Sequence, residues 1–260
     1  MDITLSRTIV ITLLAAAVSI GGMFLVRRTF SLSQLRAHHA VTEPLLAVLG
    51  TLFAILLGFM LANAMQRFEN ARANAQDEAG IVGDLYRLAD GLPVVPRDNI
   101  RKDTLRYLDL VIEDEWPLMK TGKMSEQAWN VYGDLWRECL HYEPQSQAQI
   151  NIHQTLLPTM ARLGECRRAR LAELHYGLPP SLWVVLTFGG LSTIAFTFFF
   201  AVENIRLQML MTSLITSIIC LNIYMLAGYD APFSGDIAIA PVAFETVRIT
   251  MEKVSAGQWR

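Results

Sequence analysis

Four stretches of this chain contain no Asp, Glu, Lys, Arg or His, and each is long enough to cross a bilayer: Thr8–Val26, Pro44–Gln66, Leu178–Val202 and Leu207–Tyr229. A helix needs about 20 apolar residues to span the hydrocarbon core. The rest of the composition agrees. The chain is 52% hydrophobic and 18% charged, where an ordinary soluble domain is roughly a quarter charged. The first stretch is followed by Arg27-Arg28 and not by a small-residue cleavage site, so it reads as a retained membrane helix. A net charge of −2 and the lack of a basic stripe exclude an electrostatic case for nucleic acid. The three cysteines, Cys139, Cys166 and Cys220, show no CxxC spacing, so neither a disulfide framework nor a zinc site is expected.

The segment from Leu56 to Ala79, LLGFMLANAMQRFENARANAQDEA, starts as membrane interior and ends as a charged helix. No proline interrupts it, and no glycine occurs between Gly58 and Gly80. A plain anchor does not require that continuity; a helix that lines one compartment and walls another does. The predicted organisation is all-α. A first transmembrane hairpin occupies 1–66, a helical extramembrane domain 67–177, a second hairpin 178–229, and a C-terminal turn with an amphipathic helix 230–260.

Within the polar block, Ala79, Val82, Leu85, Tyr86 and Leu88 follow helical spacing until Gly91-Leu92-Pro93 stops the run. Pro96 suits a first turn, and Ile100, Leu105, Leu108, Val111 and Ile112 form the next stripe. Ser125 with Glu126 opens a third helix carrying Trp129, Tyr132, Leu135, Trp136 and Cys139. A fourth starts near Ser146 and carries Ile150, Leu157, Met160 and Leu163. After the last span, a turn around Pro232, Ser234 and Gly235 redirects the chain. Phe244, Val247, Met251 and Val254 then form one face of a helix expected to pack on the block.

Catalytic signatures are missing: there is no Gly-rich phosphate loop, HExxH or GxSxG. Neither an enzyme nor a cofactor or metal site is expected. His38-His39 reads as a solvated connector, and His141, His153 and His175 as surface or packing residues. Glu113-Asp114-Glu115 reads as the solvated end of a helix. The spans carry none of the ionisable groups that pumps and ion-coupled transporters use, which favours a passive pathway or none. Thr212, Ser213, Thr216, Ser217 and Asn222 in the fourth span are expected to serve helix–helix contacts.

The second span differs. Thr51, Ile55 and Phe59 lie four residues apart on one face, and Asn63 and Arg67 prolong the stripe with a slow drift. If copies of this helix surround an axis, the stripe becomes rings: a hydroxyl, two apolar constrictions, an amide, then a charge. Apolar rings gate by dewetting, and cationic residues at a mouth, here Arg67 and Arg72, concentrate anions. The same spacing also serves ordinary packing, and on pattern alone both readings stand.

Leu57-Gly58-Phe59 followed by Arg67-Phe68 resembles the pore helix of bestrophin channels, and DAPFSGDIAI, which begins at Asp230, resembles the motif after their last span. EAGIVGDLYRLADGLP, EDEWPLM, LPPSLWVVLTFGG and DAPFSGD identify the chain as resembling a bacterial bestrophin-like family over nearly its full length. The resemblance implies a homopentamer with the second helix around a central pore, neck positions at Thr51, Ile55 and Phe59, and a post-membrane turn of Asp230, Pro232, Phe233 and Asp236. One departure is plain. Calcium-responsive bestrophins carry a dense acidic cluster after Pro-Phe-Gly, whereas Asp236 here precedes Ile237, Ala238 and Ile239, too few carboxylates for a hard cation.

The expected function is an oligomeric anion channel whose partners are its own copies, membrane lipid and inorganic anions. The alternative is a non-conducting scaffold or sensor whose helical domain binds a partner. The expected location is the bacterial inner membrane. Arg27, Arg28 and Arg36 in the first connector argue for the block outside; Arg67, Arg72, Arg162, Arg167, Arg168 and Arg170 argue for it in the cytoplasm, which is the orientation expected.

Overall fold

The computed structural model describes residues 5–37, 39–200 and 202–257. Ten α-helices are present among the described residues, and no strand. They are α1 Leu5–Thr29, α2 Leu32–Ala37, α3 His39–Leu88, α4 Val94–Leu110, α5 Trp116–Met119, α6 Glu126–His141, α7 Gln147–Ala172, α8 Pro180–Thr197, α9 Ile205–Asp230 and α10 Val242–Ser255. Four of them, α1, α3, α8 and α9, hold stretches long and apolar enough to cross a membrane. The chain divides into two compact units. One comprises 1–67, 178–230 and 235–237; the other comprises 68–177, 231–234 and 238–260.

Helix α3 runs for 50 residues, about 75 Å at 1.5 Å per residue. A bilayer core takes about 30 Å of that, so most of α3 lies beyond it. The connector before it is itself helical: α2 occupies Leu32–Ala37, and α3 starts at His39, ahead of Pro44. Pro44 lies in the second turn of α3, where a proline removes one intrahelical hydrogen bond. His38 lies outside the described residues, while His39 opens a helix and not a loop.

In the first unit α1 packs chiefly along α9. The pair is antiparallel, since Ser19 meets Thr216 while Arg27 donates to the Val202 carbonyl just ahead of α9. The hydroxyls close the seam: Thr216 Oγ1 lies 3.1 Å from Ser19 Oγ and donates to the Thr212 carbonyl at 2.8 Å. Such contacts suit lipid, where apolar burial supplies no drive for helices to associate. Phe53, Leu57, Met60 and Ala64 of α3 are buried with Leu186 of α8 and with Ile219 and Leu226 of α9. Gly189 lets Phe53 seat closely, because a Cβ there would come within 2.8 Å of the ring. Helix α8 ends at Thr197, short of Val202, and the chain tightens into i to i+3 turns through Phe198, Phe199 and Phe200.

The second unit has one core, built from Val82, Leu85, Ile100, Leu108, Leu135, Leu156, Met160, Leu163, Phe244 and Met251. Two serines start its helices as expected: Ser125 caps α6 by accepting from Ala128 N–H, and Ser146 caps α7 by accepting from Gln149 N–H. Trp129 departs from its expected place in the α6 stripe. It is exposed, and Val131 takes the core position instead.

Candidate functional site

Residues Val111–Glu115 form a π-helical turn between α4 and α5, with the Trp116 N–H bonded to the Val111 carbonyl five residues back. Pro117 follows, and a regular helix would drive its ring into the carbonyl four residues earlier, so a widened turn relieves the conflict. The widening also redirects side chains. Glu113 stays exposed and faces Arg248 at 3.3 Å, whereas Glu115 is wholly buried. The acidic run is therefore not a solvated helix end.

Glu115 belongs to a buried charge network that the sequence reading missed. Arg170 bonds Glu78 through Nε at 2.7 Å and Nη2 at 2.9 Å, and Nη2 also reaches Glu115 at 2.7 Å. Arg167 donates to Glu115 at 2.6 Å and to the Tyr107 hydroxyl at 3.1 Å, and that hydroxyl donates to Glu78 at 2.6 Å. All four charged side chains are fully buried. The two positive and two negative charges balance, as burial demands. Trp116 and Phe244 place their rings 5.4 and 5.7 Å from the Arg170 guanidinium. Burial, followed by the Glu78 carboxylate, pushes the Tyr107 phenol well above its ordinary range, so it stays a donor. For Arg170, burial opposes the charge, but Glu78 and Glu115 outweigh it and raise its pKa. Arg167 and Arg170 are thus internal residues. One signal was available: Glu78 falls inside the apolar run Ala71, Ala75, Ala79 and Val82.

The face of α3 singled out above lies opposite its packed side. At about 100° per residue, Ile55 points roughly 170° away from the mean direction of Phe53, Leu57, Met60 and Ala64. Thr51, Ile55, Phe59 and Asn63 are all exposed in the chain, Ile55 at 53% and Phe59 at 74%. The Thr51 hydroxyl donates to the Ala47 carbonyl at 2.7 Å.

The drift of the stripe carries Arg67 off this face. It is half-buried and paired with Asp230 at 3.2 Å, so it is not a bare mouth charge. Arg72 is exposed, with Glu69 at 3.6 Å. The other residues of the post-membrane turn separate. Phe233 is buried edge-on against Trp116 with ring centres 5.6 Å apart, and the Pro232 carbonyl accepts from Ile239 N–H at 2.8 Å. Asp236 is exposed, 3.4 Å from the Tyr224 hydroxyl. Gly235 makes the turn at a φ of 83°, a backbone region open mainly to glycine.

Four apolar spans with a helical block inserted between the second and third define a polytopic all-α membrane protein. The bestrophin-like domain model matches residues 13–244. The chain belongs to the bestrophin-like family. No curated protein matches it by sequence. Among solved structures it is similar to variants of a bacterial bestrophin homologue from Klebsiella pneumoniae. One is 12% identical with a TM-score of 0.72, covering 93% of this chain and 99% of that one. Another is 16% identical with a TM-score of 0.71, covering 98% and 99%. A crystal structure described as a membrane protein matches at 14% identity and a TM-score of 0.70, covering 94% and 98%. At these identities the likeness is one of fold.

Proposed function

We propose that this protein is a homo-oligomeric ion channel, a pentamer in the simplest case, with α3 of each copy lining the path. The observation that carries the reading is the face of α3 bearing Thr51, Ile55, Phe59 and Asn63, which intrachain packing leaves unused while the opposite face is buried. Rings of Ile55 and Phe59 offer an ion nothing in place of its hydration shell, so they form the barrier. The helical block faces the cytoplasm of a bacterial inner membrane in this proposal.

Anions belong to the permeant set on narrower ground than the sequence reading supposed. Arg67 and Arg72 both have carboxylates close by, so neither acts as a bare cationic ring. Small inorganic ions of both signs are the proposed cargo, with modest selection between them.

Assembly is the first test. A path with one lining helix per copy requires a closed ring. Purified protein cross-linked in several detergents and lipids should stop at one closed oligomer. Cross-linking that stops at monomer or dimer throughout rejects the channel in favour of a non-conducting scaffold or sensor.

A further inference from the structure

Resting on the channel reading, we infer that Asp230 is a specificity-determining residue: it cancels the charge of Arg67 beside the ion path and keeps the protein weakly selective between anions and cations. A single carboxylate oxygen, Asp230 Oδ1, accepts from Arg67 Nη1 at 3.2 Å and from the Leu178 N–H at 2.8 Å. Leu178 stands just ahead of Pro179 and Pro180, which begin α8 and have no N–H, and its own backbone N–H is the donor that Asp230 accepts from. The carboxylate is thereby held from two sides, with 13% of the Asp230 side chain and 24% of the Arg67 side chain exposed. Arg67 lies about 12 Å along α3 from Phe59 and flanks the lining face, about 40° around the helix from Asn63, at 1.5 Å and 100° per residue. A unit charge about 10 Å from an ion in water alters local ion concentration by about two-fold. Each further copy around an axis multiplies that factor.

Two substitutions separate charge from architecture. Asp230→Asn keeps an oxygen acceptor for Leu178 N–H while removing the negative charge. Arg67→Gln keeps a donor toward Asp230 while removing the positive one. Reversal potentials of reconstituted protein in a potassium chloride gradient read the outcome. Asp230→Asn should shift toward chloride and Arg67→Gln toward potassium, each by at least about two-fold in permeability ratio. The double variant should return to the wild-type value, a cancellation that a merely structural pair would not produce. Should Asp230→Asn fail to fold, Arg67→Gln against Arg67→Lys still carries the sign, the first shifting toward potassium and the second, which keeps the charge, staying at the wild-type value. Currents with unchanged reversal potentials, or single variants that shift in the same direction, overturn the role of Asp230 and leave the channel standing. Wild-type protein that passes no current overturns the channel and this inference together.

Discussion

Replacing Ile55 and Phe59 together with alanine is expected to give a constitutively leaky protein in liposome flux assays. The two side chains are half to three-quarters exposed in the chain, so their truncation removes little intrachain packing. Around an axis it removes the apolar constriction, and each 1.4 kcal/mol taken off the barrier raises flux about ten-fold. Phe59→Ala should contribute more than Ile55→Ala, because it removes the larger volume. A pair that served only as core packing would behave differently, costing roughly 2–5 kcal/mol per residue without creating flux. Flux and melting temperature measured on the same double variant separate the two outcomes, and a destabilised protein that conducts nothing sinks the neck assignment.

The largest effect on folding is expected from Arg170→Met. Arg170 is the common partner of Glu78 and Glu115, so its loss leaves one uncompensated negative charge in a fully buried network, with Glu78 left to the Tyr107 hydroxyl and Glu115 to Arg167. Removing one member of a buried charge pair typically costs about 3–5 kcal/mol, and denaturant unfolding measures it directly. Tyr107→Phe deletes one donor to Glu78 and one acceptor from Arg167 and should cost about 1–3 kcal/mol. An Arg170→Met variant within 1 kcal/mol of wild type, about the size of an ordinary hydrogen bond, would falsify the view that this network holds the helical block together.

The spans were legible because hydrocarbon admits only long uncharged helices, and α3 was legible as one helix because neither proline nor glycine breaks it where it turns polar. Ser125 and Ser146 announced their helices through a capping preference that is local in sequence. What stayed hidden depends on contacts across the chain. Glu115 looked solvated because its burial comes from a π turn imposed by Pro117 and from partners 52 and 55 residues away. Arg67 looked like a bare mouth charge because its partner, Asp230, lies 163 residues on. The exposed stripe of α3 was visible as spacing, but spacing does not say which face packs. The burial of Phe53, Leu57, Met60 and Ala64 supplied that.

The central claim is that α3 lines an aqueous path with the face opposite its packed side. Single cysteines placed along α3, in a background lacking Cys139, Cys166 and Cys220, test it through block of liposome flux by a charged, membrane-impermeant thiol reagent added from each side. Block at positions 51, 55, 59 and 63, with none at 53, 57, 60 and 64, is the result expected, and the side from which position 63 reacts first gives the orientation of the helical block. Block confined to the second set, or flux indifferent to modification at every position, would contradict a path lined by α3.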